Sequence, residues 1–204
     1  MTASIISITI FIVIAAYLIG SISSAVVVSR LMGFPDPRTD GSRNPGATNV
    51  LRLGGKKAAI ITLLSDVLKG LAPVLAARLY LDSPPIIAVV ALAAFGGHVF
   101  PVLFRFQGGK GVATALGAIA AITWPTALAA FGTWLLVALI SRYSSLSALI
   151  AALLTPIYTG IFTANLIYTG AIGLIALLII WRHRTNIRNL IKGTETKIGQ
   201  KVKG

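Results

Sequence analysis

Hydrocarbon and polar stretches alternate along this chain in blocks whose lengths are informative. From Ile5 to Val28 it is apolar apart from Gly20 and small hydroxyl residues, which a helix satisfies internally, and Arg30 ends the run. About 20 such residues span the hydrocarbon core of a bilayer. Residues 31–57 are polar, with Pro35 and Pro37 around Asp36, and predict a loop. Ala58 to Leu81 is a second span and carries Asp66 and Lys69 one turn apart, a spacing that predicts a structural pair. Asp82-Ser83-Pro84-Pro85 reads as a tight turn, since its prolines stop one helix and start the next. Ile86 to Phe104 follows as a third span, in which His98 reads as a packed histidine. Val112 to Thr123 is apolar but short, Trp124-Pro125 ends it, and Thr126 to Ile140 comes next. Beyond the loop at Arg142-Tyr143-Ser144-Ser145 come Leu146 to Phe162 and Leu166 to Trp181, split by Thr163-Ala164-Asn165. A basic tail from Arg182 is expected at the membrane interface. Two full crossings within 112–140 make seven transmembrane helices; a re-entrant pair there makes five. Both ends of that stretch lie on one side in either case.

Composition fits this pattern. The 204 residues are 56% hydrophobic and 11% charged, against about 25% charged in soluble domains. An all-α, polytopic integral membrane protein follows, with residues 1–204 as a single membrane-embedded domain. The net charge of +13 does not indicate nucleic acid, because the cations sit between apolar segments, as in cytoplasmic loops. Sixteen of the 18 lysines and arginines fall in the polar loops or the tail, the exceptions being Lys69 and Arg78. The expected orientation is therefore N-terminus periplasmic, C-terminus and polar motifs cytoplasmic. The first segment has no basic n-region and no small-residue cleavage site before Gly20, so it reads as a retained span. With no cysteine and two histidines, neither thiolate chemistry nor a protein-built metal site is expected.

Three polar runs share the cytoplasmic face. In Gly41-Ser42-Arg43-Asn44-Pro45-Gly46-Ala47-Thr48-Asn49, glycines let the backbone approach a ligand, while Arg43 and Arg52 add donors suited to phosphate. Gln107-Gly108-Gly109-Lys110-Gly111 runs into a helix start, a ready anion site although not a Walker loop. His183 and Asn186, three apart, would share one face of a helix beside Arg182 and Arg184. Each run also has a plain structural reading: a turn, a positive-inside marker, a headgroup-zone histidine. Glu195, the one acid of the tail, is placed to tie it to the basic loops.

Taken together, Gly41–Arg52, Gly97-His98-Val99-Phe100-Pro101 and Gly108-Gly109-Lys110-Gly111-Val112-Ala113-Thr114 closely resemble the bacterial acyl-phosphate:glycerol-3-phosphate acyltransferases, the PlsY family. Gly20-Ser21-Ile22, Asp66-Val67-Leu68-Lys69-Gly70 and Arg182-His183-Arg184-Thr185-Asn186-Ile187 look like that family too. Arg43 stands where the family commonly has glycine, and Gln107 where it often has lysine. The resemblance implies a seven-helix inner-membrane enzyme with its active site facing the cytoplasm. It implies acyl transfer from acyl phosphate to the 1-position of sn-glycerol 3-phosphate, giving lysophosphatidic acid and inorganic phosphate, the first step of phospholipid biosynthesis. No cofactor is implied, and the partners are those two substrates and membrane lipid. Ser42, Asn44, Arg52, Lys110, His183 and Asn186 carry over as catalytic residues, and Gly41, Gly46, Thr48, Asn49, Gly108, Gly109 and Gly111 as substrate-binding ones.

Acyl phosphate has a good leaving group, so direct attack by the glycerol hydroxyl is simpler than a covalent enzyme intermediate. The expectation is that Arg52 and Lys110 hold the two phosphates, with the acyl phosphate's own oxygens or His183 taking the proton. Two alternatives stand at this point: an organic-phosphate transporter, and a regulator that merely binds anionic lipid.

Overall fold

The structure, a computed structural model, describes residues 2–200, with side chains from Ile6 onward; residue 1 and residues 201–204 of the expected domain lie outside it. Every long element among the described residues is helical: α1 (Thr2–Gly20), α2 (Ser24–Met32), α3 (Ala47–Leu81), α4 (Pro84–Val99), α5 (Val112–Ile122), α6 (Trp124–Ser141), α7 (Ser144–Thr163), α8 (Leu166–Arg182) and α9 (Arg184–Ile191). A 3-10 turn at Val102–Phe104 follows α4. Four helices are long and apolar enough to cross a membrane, and six if the bent pairs α1–α2 and α8–α9 each count as one span. The 11 residues of α5 rise only about 16 Å.

Two expectations need correction. The first span is not continuous, because α1 and α2 meet at 43° across residues 21–23. Gly20 lies where a Cβ would strike the Ala94 carbonyl, and the carbonyl freed at Ile22 accepts from Lys69 Nζ at 2.7 Å. Polarity was a poor guide at 47–54, which begin α3. Val50 is fully buried there, and the helix breaks from its long apolar part at Gly55, whose φ of 78° and ψ of −175° suit glycine alone. The expected third span is found as Pro84–Phe104, in which α4 ends at Val99 because Pro101 disfavours helical geometry at Phe100, and the 3-10 turn completes the length. The last span, expected to end at Trp181, ends as α8 at Arg182; the chain bends by 56° into α9 at His183, whose ring and backbone N–H both donate to the Ile179 carbonyl, at 2.8 and 3.0 Å.

Helices α3, α4, α5 and α8 pack around Phe95 in a core rich in alanine. Small residues let helices approach closely where lipid gives no hydrophobic drive. Gly70 of α3 faces the Thr114 carbonyl and Gly117 of α5 faces the Val67 carbonyl, each with no room for a Cβ. The two cations that broke the charge pattern both serve helix ends. Lys69 pairs with Asp66 at 2.8 Å as it donates to Ile22. Arg78 donates to the carbonyls of Ala121 and Ile122 at 2.8 and 3.0 Å, capping α5 three residues before α3 ends. Thus α5 reaches the far end of α3 despite its length. The glycine loop before it descends along α4, from His98 beside Gly109 to Phe95 beside Gly111.

Candidate active site

Loop 33–46, the glycine loop, the start of α7 and the tail beyond α9 meet where α3 begins and α8 ends. The glycine loop is shaped by its neighbours. Its Gly109 N–H donates to the His98 carbonyl at 3.2 Å, and Cβ atoms at Gly108 or Gly109 would collide with His98 and its backbone. From the other side Arg182 donates to the carbonyls of Gly109 (3.2 Å) and Gly108 (2.7 Å). Gly111, at φ 82°, then turns the chain into α5. Gly109 therefore contributes shape, its amide hydrogen being already engaged.

Lys110 projects from this loop and donates to Asn186 Oδ1, while Asn186 Nδ2 donates to Glu195 Oε1 at 2.7 Å. Ser145 Oγ donates to the same carboxylate oxygen at 2.6 Å. Burial pushes the Lys110 ammonium down to about 8; Glu195 opposes this, and the nearby Arg182 and Arg52 cations add to it. Arg52, one and a half turns into α3, reaches the Thr196 carbonyl from Nη2 at 3.4 Å. Its Nε is buried and has no hydrogen-bond partner among the described residues, an arrangement that invites an anion. Lys110 and Arg52 thus share one carboxylate, with Arg182 close to Lys110, leaving the pocket positively charged.

His183 is buried at the α8–α9 break. Since a carbonyl only accepts, Nδ1–H must donate to Ile179 and Nε2 keeps the lone pair. Burial, then the Lys110 and Arg182 charges, drive its pKa to about 4 against the pull of the Ile179 carbonyl, so the ring is neutral near pH 7.

The first motif is arranged differently. Asn49 is 1% exposed, and its amide organises the loop: Oδ1 accepts from Ser42 N–H at 2.9 Å, and Nδ2 donates to the Pro37 and Asp40 carbonyls, both at 3.0 Å. Gly41, at φ 62°, has Asn49 Oδ1 where a Cβ would be. Ser42 is exposed, and the Asn44 amide lies beside Gly46. Arg43 has a φ of 55°, a left-handed conformation that glycine adopts more easily. Thr48 Oγ1 lies 3.1 Å from Ser144 Oγ, and the Pro45 carbonyl faces Gly109. The structure thus brings Lys110, Asn186 and Arg52 together around Glu195. Ser42 and Asn44 remain on the loop beside them.

Comparison with known proteins bears on this arrangement. The family described as glycerol-3-phosphate acyltransferase matches residues 10–193. Its relatives include the glycerol-3-phosphate acyltransferase of Thioalkalivibrio sulfidiphilus, 61% identical over 191 residues and covering 94% of each chain. That of Methylococcus capsulatus is 54% identical over 91% of this chain and 94% of its own. The chain belongs to the glycerol-3-phosphate acyltransferase family. The crystal structure of PlsY (YgiH), an integral membrane glycerol 3-phosphate acyltransferase, in its glycerol 3-phosphate form superposes with a TM-score of 0.90 at 40% identity, covering 94% of this chain and 96% of that one. Its lysophosphatidic acid form gives 0.87.

Motif reading did not single out Arg182 or Ser145, whereas His98 is packed and hydrogen-bonded and Glu195 ties the tail to the loops, both as expected. Glu195 was visible as the only acid of the tail. Arg182 could not be separated from its basic neighbours, because its role is to hold two carbonyls distant in sequence.

Proposed function

We propose that this acyltransferase moves an acyl group from acyl phosphate to the 1-hydroxyl of sn-glycerol 3-phosphate, releasing lysophosphatidate and inorganic phosphate. The observation that supports this most is the incompletely paired Arg52 guanidinium beside Lys110 and Arg182, a pocket with more positive charge than its own carboxylate neutralises. Arg52 and Lys110 hold the two phosphates. The glycerol hydroxyl oxygen attacks the acyl carbonyl carbon, the carbon–oxygen bond to phosphate breaks, and the hydroxyl proton leaves with the departing phosphate. Cations beside the leaving group stabilise the charge it gains. Neutral His183 accepts a hydrogen bond at Nε2 and orients the hydroxyl, Asn186 aims Lys110, and Ser42, Asn44 and Thr48 complete the wall of the pocket. Asn49 and the glycines fix the loops that carry them.

The acyl chain lies in the groove of about 430 Å³ between α7 and α8, lined by Leu153, Pro156, Gly173, Leu177 and Ile180. The N-terminus faces the periplasm and the pocket the cytoplasm of a bacterial inner membrane, with seven crossings counting α5. This assignment is supported by the basic loops, which share one end of the bundle, and by Arg78 capping α5 near the other. The transporter alternative has no support, because the polar motifs gather at helix ends instead of midway along broken helices.

Purified protein given palmitoyl phosphate and labelled glycerol 3-phosphate should release phosphate and form lysophosphatidate, whereas palmitoyl-CoA should not replace the donor. Turnover with palmitoyl-CoA at an equal rate would overturn the donor assignment.

A further inference from the structure

Apart from the Lys110 cluster, a cleft of about 510 Å³ opens between the end of α2, the loop after it and the 3-10 turn following α4. Arg30, Arg38, Arg105 and Gln107 supply its polar lining, and Leu103 and Phe104 its apolar one. None of these residues belongs to the site described above. Asp36 neutralises Arg38 through a double contact at 3.1 and 2.6 Å, and the Arg38 guanidinium lies 5.9 Å from the centre of the Phe104 ring. Arg30 and Arg105 make no hydrogen bond or ion pair to any described residue. Two guanidinium groups from separate elements therefore converge on one cleft, Arg30 close enough to Asp36 to feel its charge but neither held in a hydrogen bond or ion pair.

The backbone here is unusual as well. Arg105 and Phe106 are consecutive non-glycine residues in left-handed conformations, with φ of 54° and 59°. Such residues persist only when their surroundings hold them, and they concentrate at functional sites. Phe106 N–H donates to the Pro101 carbonyl at 2.9 Å and Gln107 N–H to that of Phe104 at 3.1 Å, fixing the turn. Phe106 is 61% exposed and Leu103 58%, while Leu31, 81% exposed, follows Arg30 on the facing helix. Orientation by positive charge would need arginines, but neither a strained turn nor convergence. Guanidinium groups within a cleft whose lips are apolar match a phosphate that carries hydrocarbon chains.

We propose that this cleft binds the headgroup phosphate of an anionic membrane phospholipid. Arg30 and Arg105 grip the phosphate, Gln107 meets a neighbouring ester or glycerol oxygen, and the chains descend past Leu31, Leu103 and Phe106. Native mass spectrometry of the detergent-purified enzyme, offered phosphatidylglycerol or phosphatidylcholine, tests this. The enzyme should retain one phosphatidylglycerol and no phosphatidylcholine, and millimolar inorganic phosphate should not displace the lipid. The Arg30→Ala/Arg105→Ala double variant should retain about tenfold less at an unchanged unfolding temperature and acyl-transfer rate, and Lys110→Ala should retain it fully. The Arg30→Lys/Arg105→Lys variant should regain part of the binding. Equal retention of both lipids, or undiminished binding by the double alanine variant, would overturn the site. Displacement by inorganic phosphate would make it a free-anion site instead. Displacement by palmitoyl phosphate, with a raised KM for that donor in the double variant, would reassign it as a donor entrance.

Discussion

Lys110 concentrates the chemistry of the pocket in one proton. An ammonium held near pH 8 is charged at neutral pH and loses its charge as the pH rises through that value. Activity at subsaturating glycerol 3-phosphate should therefore fall above about pH 8, and Lys110→Arg, whose guanidinium titrates above 12, should move or remove that limb. Lys110→Ala should lower kcat/KM by about two to three orders of magnitude, as measured by phosphate release. Asn49 presents the opposite case, being buried and hydrogen-bonded within its own loop. Asn49→Ala should reduce stability by about 1–3 kcal/mol and appear as a lower unfolding temperature. Motif reading selected Lys110 as catalytic and Asn49 as substrate-binding but could not see that Asn49 is engaged by its own loop, since that depends on contacts at a separation of 7 residues for Ser42–Asn49, against 76 for Lys110–Asn186.

Among the elements, the hydrophobic blocks were legible because span length and apolarity are local properties. The break at residues 21–23 was not, because Lys69, distant in sequence, takes the carbonyl freed there; at 183 the ring of His183 adds a second bond to the Ile179 carbonyl that its own N–H already uses. Gly55 allows the polar first turns of α3 to turn away from its apolar length. Gly55→Ala places a Cβ in a backbone region nearly exclusive to glycine and should cost about 1–3 kcal/mol, with Arg52 displaced and KM for glycerol 3-phosphate raised. The tail segment is bound through several residues: Glu195 to Ser145 and Asn186, Thr196 to Arg52, Lys197 over the Tyr143 ring, and Ile198 N–H to the Arg142 carbonyl at 2.8 Å. Glu195 favours the charged form of Lys110. Glu195→Gln should thus shift the alkaline limb of the pH profile to lower pH, the sign expected when a stabilising anion is removed.

For the molecule as a whole, the topology can be tested cleanly because the chain contains no cysteine. Asp40→Cys should react only with reagents admitted to the cytoplasm, and Ser83→Cys with impermeant reagents from outside; the reverse pattern would invert the bundle. The abutting glycines of α3 and α5 extend this to mechanics. Lys110 lies just before the helix that carries Gly117, and Arg52 is joined through Gly55 to the length of α3 that carries Gly70, so the α3–α5 contact and the Gly55 break together set the gap between the two cations. When lipids thicken or thin, α5 and the apolar length of α3 should tilt as a unit instead of spreading. Initial rates in vesicles of short- and long-chain phosphatidylcholine should accordingly differ little, and Gly117→Leu should make them diverge.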